Sequence, residues 1–207
     1  MSEKTTLEKL REEERETRRN LIIDAAIRLF ARAPFNQVGV RDIAAEAGMS
    51  PASLYRYFAD RDEMFLEALL RESRSLSTRL AAPPAADETS GLAWAARVFV
   101  EHLLDRDAFF QMMTYFMVGG GIRSAAVARF NQIQRDLVDR FEELFRASGR
   151  GDNSRLGAHG FLSSLNGILI TFRNYPGRTR EEARRHMLRL ADLTARAFAA
   201  PDACRLP

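Results

Sequence analysis

The segment from Val40 to Phe58 constrains the fold of this chain more than any other part of the sequence. Its centre reads Gly48-Met-Ser50-Pro51, an order that ends one helix and begins the next. Glycine adopts the left-handed conformation at a helix end, serine caps a helix start, and proline fits the first helical position. The segment therefore predicts a short helix over residues 40–47, a tight turn and a second helix, which together form a helix-turn-helix.

Apolar residues recur at spacings of three and four along the rest of the chain, and no long stretch alternates with a period of two. The stripes include Ile22-Ala26-Leu29-Phe30, Met64-Phe65-Ala68-Leu69, Phe130-Leu137-Phe141-Leu144, Leu162-Leu165-Leu169-Phe172 and Met187-Leu190-Ala191-Thr194-Phe198. Asp60 with Glu63 and Thr179 with Glu182 have the spacing of a capping box at a helix start. The sequence predicts an all-α protein of about nine helices.

Proline and glycine clusters divide the chain. Pro83-Pro84 blocks helix formation and predicts a linker, and the glycines at 119–121 and at 149 and 151 predict turns. We expect a charged arm over residues 1–19, a helix-turn-helix domain over 20–66, a connecting helix and linker over 67–86, and a second helical domain over 87–207.

The composition favours a protein of the cytoplasm. Hydrophobic residues make up 46% and charged residues 29% of the chain. The longest apolar-rich stretch, Phe161 to Phe172, is shorter than the roughly 20 residues of a spanning helix, so no membrane partner is expected. The N-terminus lacks the apolar region of a signal peptide, and the single cysteine, Cys204, has no partner for a disulfide.

No catalytic constellation is evident. The three histidines, His102, His159 and His186, are scattered and lack the spacing of metal ligands. The sequence contains neither a nucleophile elbow nor a phosphate-binding loop that follows a strand. We therefore expect no enzymatic activity, no metal and no cofactor.

Several motifs at fixed offsets give the N-terminal part a family resemblance. The pieces are Ile23-Asp24-Ala25-Ala26, Val40-Arg41-Asp42-Ile43-Ala44, Ala47-Gly48-Met49-Ser50, Leu54-Tyr55-Arg56-Tyr57-Phe58 and Arg61-Asp62-Glu63-Met64. Residues from about 20 to 70 resemble the DNA-binding domain of the tetracycline-repressor (TetR/AcrR) family of bacterial regulators. The resemblance implies a homodimer that binds a palindromic double-stranded DNA operator and is released by a small-molecule inducer.

The resemblance also implies which residues meet DNA. These are Arg41, Ser50, Pro51, Ala52, Ser53, Tyr55, Arg56, Tyr57 and Arg61. Arg61 stands where the family usually has a phosphate-binding lysine. Val38-Gly39 stands where it usually has hydroxyl residues, so we expect neither a hydroxyl cap nor a phosphate contact from this position. With Pro51-Ala52 in place of the common Lys-Gly, we expect base readout to fall on Arg41 and Arg56. The alternative for Tyr55 and Tyr57 is that they pack against the first helix of the helix-turn-helix, residues 40–47.

The N-terminal arm carries Arg11, Arg15, Arg18 and Arg19, which suit a flanking minor groove. Four glutamates, at positions 12, 13, 14 and 16, neutralise these charges. We therefore favour a frayed, solvated extension of the first helix over an arm that contacts DNA.

The C-terminal part is rich in Phe and Met, residues that form either core or an adaptable apolar pocket. The candidate ligand-binding residues are Trp94, His102, Met112, Met113, Tyr115, Phe116, Asn131, His159, Phe161, Leu165 and Asn166. The expected ligand is largely apolar or amphipathic.

Small residues along one side of the penultimate helix, with apolar neighbours there and on the last helix, favour a dimer built from two helices of each subunit. The candidate interface residues are Gly160, Phe161, Ser164, Ile168, Phe172, Leu190, Thr194 and Phe198. The leading hypothesis is a ligand-responsive regulator that acts as a repressor. The alternatives are a DNA-binding dimer without an inducer and a helical carrier of apolar ligands that no longer binds DNA.

Overall fold

The computed structural model describes residues 5–33, 37–81, 91–118, 124–148 and 153–200. Those ranges contain nine helices and no strand, so the predicted all-α fold is confirmed. The helices are α1 Thr6–Phe30, α2 Val40–Glu46, α3 Pro51–Leu54, α4 Arg61–Leu80, α5 Gly91–Asp105, α6 Asp107–Val118, α7 Ser124–Ala147, α8 Ser154–Phe172 and α9 Arg180–Ala199. The predicted linker at 83–84, the glycine turns at 119–121 and at 149 and 151, and Cys204 lie outside the described residues.

The helices belong to two compact units. The first unit takes in the chain up to Glu72 together with Asp107–Phe130, and the second takes in Ser73–Arg106 and the chain from Asn131 onward. Helices α4 and α7 each contribute residues to both units. The domain boundaries expected after residues 19, 66 and 86 stay a prediction.

Capping residues set several helix starts, as the sequence predicts. Glu63 donates its backbone N–H to Asp60 Oδ1 at 2.8 Å, and Glu63 Oε2 accepts the N–H of Ala59 at 2.6 Å. At α9, Glu182 donates its N–H to Thr179 Oγ1 at 3.2 Å and accepts the Thr179 N–H at 2.8 Å. These contacts satisfy N–H groups that lack partners within the helix.

The core of the first unit joins α1, α2 and α4. Phe30 is fully buried and meets the edge of Phe65, with 4.4 Å between ring centroids. Polar contacts fix the same helices around this apolar centre. Arg28 Nε donates to Glu46 Oε1 at 2.7 Å, and this bond lowers the pKa of Glu46 below its ordinary value. Helix α2 is thereby held against α1.

The second unit packs α8 and α5 against α9. Its centre is an aromatic cluster in which Phe161 contacts Phe141, Phe145 and Phe198, with ring centroids 5.4–5.8 Å apart. Edge-on aromatic contacts of this kind stabilise a core beyond their buried area. Within the same unit, Arg97 binds both carboxylate oxygens of Asp192, at 2.7 and 2.5 Å.

Candidate nucleic-acid interface

The turn between α2 and α3 has the geometry that the sequence predicts. Gly48 has a φ of 67°, a conformation in which a side chain is strained. The Met49 N–H then donates to the Ala44 carbonyl at 2.9 Å, which closes the end of α2. Ala47 is the C-cap, one residue beyond the last helical position. This turn sets the angle at which α3 leaves α2.

The start of α3 uses both hydroxyls of its first turn. The Ser53 N–H donates to Ser50 Oγ at 3.1 Å, and Ser50 Oγ in turn donates to Ser53 Oγ at 3.0 Å. Pro51 occupies the first helical position, where it loses no hydrogen bond. The hydroxyl hydrogen of Ser53 therefore remains available for an acceptor outside the protein.

Helix α3 buries one side and exposes the other. Leu54 and Phe58 are buried. The Phe58 N–H donates to the Leu54 carbonyl at 3.2 Å, so a further hydrogen-bonded turn follows the end of α3. The candidate contact residues Arg41, Ser50, Pro51, Ala52, Tyr55 and Arg56 are exposed, and Ser53, Tyr57 and Arg61 are half-buried. The side chain of Tyr55 is 53% exposed, so this ring does not pack into the core.

The region before α2 shows what replaces the missing hydroxyl cap. Gly39 is the N-cap of α2 and supplies no side chain, but its N–H donates to Asp42 Oδ2 at 2.8 Å. Close by, Arg61 Nη1 donates to the Val38 carbonyl at 3.3 Å, and its guanidinium carbon lies 5.1 Å from the centre of the Phe65 ring. Arg61 thus ties the start of α4 to the loop that precedes α2.

The N-terminal arm is helical from Thr6 and carries a capping box. The Glu8 N–H donates to Thr5 Oγ1 at 3.4 Å, and Glu8 Oε2 accepts the Thr5 N–H at 2.8 Å, which lowers the pKa of Glu8. At the other end of the arm, Arg19 donates to the Tyr57 carbonyl at 2.6 Å and lies over the Phe58 ring at 4.4 Å. Arg19 therefore anchors α1 to the turn that follows α3.

A groove of about 590 Å³ lies between the arm and that turn. We call it the arm groove, and its lining is Arg11, Glu14, Arg15, Arg18, Arg56 and Tyr57. A hydrogen bond to Glu14, at 2.7 Å, and the nearby Tyr57 side chain raise the pKa of Arg18. On the sequence alone, these arginines are balanced by the neighbouring glutamates and no groove is predicted. The i, i+4, i+7 spacing of the three arm arginines is the signal that predicts a shared face.

The candidate ligand-binding residues fall in both units. Met112, Met113 and Phe116 are buried in the first unit, and Phe116 stacks on Phe130 with 5.3 Å between ring centroids. The remaining candidates differ in exposure. Buried are His102, Phe161, Leu165 and Asn166, half-buried are Trp94 and Tyr115, and exposed are Asn131 and His159. Asn166 Oδ1 has no hydrogen-bond partner among the described residues.

The candidate dimer residues on α8 and α9 are partly covered within the subunit. Phe161 and Ile168 are buried, whereas Gly160, Ser164, Phe172, Leu190, Thr194 and Phe198 are half-buried. The outer face of α8 carries Leu156, Gly167 and Ile170, which are absent from the predicted interface, and Leu193 is exposed on α9. The helical spacing of Leu156, Gly167 and Ile170 is the sequence signal for this second, exposed stripe on α8.

The described ranges contain neither a metal-binding cluster nor a membrane span. No three His, Cys, Asp or Glu side chains in those ranges lie close enough together to hold a metal ion. Within the same part of the chain, no helix combines the length and the apolar character that a membrane span requires.

Comparison with known proteins bears on the N-terminal segment first. The family model for bacterial regulatory proteins of the tetR family matches residues 22–68, which include all of α2 and α3. The family likeness shown by this model is that of the DNA-binding segment, residues 22–68. A curated relative, the HTH-type transcriptional repressor LfrR of Mycolicibacterium smegmatis, is 42% identical over 92 residues, which are 44% of this chain and 46% of that protein. The chain thus covers less than half of the length of the curated relatives that it matches.

Solved structures share the fold of this chain over most of its length. The fatty acid degradation regulator FadR of Bacillus halodurans has a TM-score of 0.63 at 16% identity, with 91% of this chain and 97% of that chain covered. AibR, solved in complex with isovaleryl coenzyme A and operator DNA, has a TM-score of 0.60 at 18% identity, with coverage of 83% and 96%. At these sequence identities the likeness is one of fold alone.

Proposed function

We propose that this protein is a transcriptional repressor that binds a palindromic DNA operator as a homodimer in the cytoplasm. The observation that carries the proposal is the exposed face of the helix-turn-helix. Arg41, Tyr55 and Arg56 are exposed there, while the buried Leu54 and Phe58 hold the same segment in place. Arginine reads guanine edges and pairs with phosphates, and hydroxyl groups position the DNA backbone.

The chemistry of α3 supports insertion into the major groove. Its first turn presents Ser50, Pro51, Ala52 and Ser53, all small, so that the backbone approaches the base edges closely. The Ala52 methyl group suits contact with a thymine methyl group, and Ser53 retains a hydroxyl hydrogen for a phosphate oxygen. Arg41 on α2 supplies a longer reach to a guanine.

The exposed apolar residues on the outer faces of α8 and α9 support the proposed dimer. Leu156, Gly167 and Ile170 are separated by eleven and three residues, which places them on one face of α8. Leu156 is 49% and Ile170 53% exposed, and a Cβ added at Gly167 would meet nothing within 4 Å. On α9, Leu193 is likewise exposed, at 56%. A second copy of this surface buries it with twofold symmetry.

The proposed inducer is a largely apolar small molecule, bound within the second unit near the buried Phe161 and Leu165. Buried Asn166 supports this proposal, since its Oδ1 has no hydrogen-bond partner in the described part of the chain and suits a donor on a ligand. AibR, of the same fold, was solved with an acyl coenzyme A and operator DNA, which makes an acyl compound a reasonable first class to screen. Release requires that the ligand bind more tightly to a dimer geometry with low operator affinity.

Fluorescence anisotropy tests the function directly. Purified dimer is titrated into labelled DNA from upstream of its own gene and into a scrambled fragment, at about 0.15 M salt. Tight binding to the upstream fragment alone supports a specific regulator. When both fragments bind weakly, selection from a random duplex library decides, and a library without any enriched sequence contradicts the proposal. Release of the bound duplex by apolar compounds, and not by polar ones, tests the inducer.

A further inference from the structure

Arginines and glutamates are interspersed along the arm sequence, but the helix places most of them on different faces. At 3.6 residues per turn, Arg11, Arg15 and Arg18 lie within about 60° of one another around the axis of α1. The glutamates at 12, 13 and 16 fall on the other faces of the helix by the same geometry. The arm groove accordingly gathers four arginines, three from α1 and Arg56 from the turn after α3, against a single carboxylate, Glu14.

Most of these guanidinium groups are available to a ligand. Arg18 is paired with Glu14 at 2.7 Å. Arg11, Arg15 and Arg56 are exposed, and none of their side chains forms an ion pair or a hydrogen bond with another described residue. An anion entering the arm groove therefore gains these charges without breaking an existing contact. The anchoring of Arg19 on Tyr57 and Phe58 keeps the two walls together.

We propose that the arm groove binds the phosphate backbone of the DNA that flanks each operator half-site. The inference rests on the proposed operator binding and extends it to a second contact surface. Arg56 and Tyr57 come just after Tyr55, the C-cap of α3, so a DNA strand beside the recognition helix meets this groove next. From Arg11 to Arg18 the helix rises about 10 Å, at about 1.5 Å per residue. That length corresponds to about three base-pair steps along the DNA axis, at about 3.4 Å per step, and exceeds a single small anion.

The test compares two duplexes and three proteins. The probe is a sequence that the wild-type dimer selects from a random duplex library. One form ends at the outer edges of the half-sites, and the other continues for about 10 base pairs, one helical turn, on each side. The variants are Arg15→Ala and, as the matched control, Lys9→Ala, which removes one positive charge from the same exposed helix outside the groove. Heat denaturation verifies that each variant folds.

The wild type is expected to bind the longer duplex about fivefold more tightly. Arg15→Ala should lose most of this preference, and on the longer duplex the log–log salt slope should fall by about 0.9 for each phosphate that the variant no longer neutralises. Lys9→Ala should keep both the preference and the slope. If the wild type binds its selected sequence but the two variants have the same duplex preference and salt slope, the proposal for the arm groove is wrong and the proposed function stands. A wild type that selects no sequence overturns the proposed function and this inference with it.

Discussion

At the scale of single residues, removing the hydroxyl of Tyr55 tests the proposed DNA binding without disturbing the fold. The ring is 53% exposed and follows α3 directly, so its hydroxyl suits a phosphate oxygen. Tyr55→Phe is expected to weaken operator binding about fivefold, since one hydrogen bond is worth about 1 kcal/mol, and to leave the melting temperature unchanged. Anisotropy titration measures the affinity. Tyr175→Phe, at another exposed tyrosine, is the control and should bind like the wild type.

Arg61 carries two roles, and substitutions distinguish them. Its hydrogen bond to the Val38 carbonyl predicts that Arg61→Ala lowers the free energy of unfolding by about 1 kcal/mol. Its proposed pairing with a DNA phosphate predicts that the log–log salt slope of the same variant is smaller by about 0.9. Arg61→Lys keeps the charge and should keep the slope. An unchanged slope in Arg61→Ala, measured by salt titration of the operator complex, would leave only the structural role.

Residue identity predicts some environments and misses others. The positive φ of Gly48 and the burial of Leu54 and Phe58 follow from the sequence, because each depends on local geometry. The partners of Arg19 and Arg61 could not be predicted, since they join residues 38 and 23 positions apart. Which side chains meet DNA or a ligand remains a prediction.

At the scale of elements, the cap of α9 is expected to stabilise the second unit. Thr179→Ala removes the hydroxyl that accepts the Glu182 N–H, and the expected loss is about 1 kcal/mol in the free energy of unfolding. Urea unfolding at neutral pH measures it. Thr179→Ser keeps the hydroxyl and should lose much less. Equal losses in the two variants would mean that packing of the threonine methyl group, and not the cap, stabilises this end.

The same cap should titrate. Hydrogen bonds from Thr179, the backbone N–H first, lower the pKa of Glu182 below its ordinary value of 4.5. A carboxylate with a lowered pKa stabilises the fold above its ordinary value and loses that contribution as the pH falls through the lowered one. The difference in unfolding free energy between wild type and Glu182→Gln should therefore shrink below pH 4.5. A constant difference would show that the charge of Glu182 is not involved.

Helix boundaries were predictable where a local signal exists. Asp60 and Thr179 mark the starts of α4 and α9, and Pro51 marks the start of α3. The arm helix also begins at a local signal, the capping box of Thr5 and Glu8, although mixed charge gives no apolar stripe before Ile22. The bond from Arg19 to the Tyr57 carbonyl, which joins the arm to the helix-turn-helix, could not be predicted, because only tertiary structure brings the two together.

At the scale of the whole molecule, the proposed operator binding depends on the proposed dimer. Two recognition helices bind a palindrome together only when a twofold axis sets their separation, which is about 34–36 Å for half-sites one turn apart. An apolar stripe at helical spacing does not show whether it faces its own core or a partner. Because of that ambiguity, the predicted interface includes Phe161, which is buried within the subunit, and it stays a prediction.

Ile170→Glu tests the assembly. The side chain is 53% exposed within one subunit, so a charge there should leave the subunit folded, but burying it against a second copy without a partner is costly. We expect sedimentation to show a shift from dimer to monomer, and operator affinity to fall at least tenfold because only one half-site is then bound. Leu21→Glu, at a leucine that is 52% exposed on α1, is the matched control and should remain dimeric. A dimeric Ile170→Glu protein would place the interface away from the outer face of α8, and the residues on that face would then need another explanation.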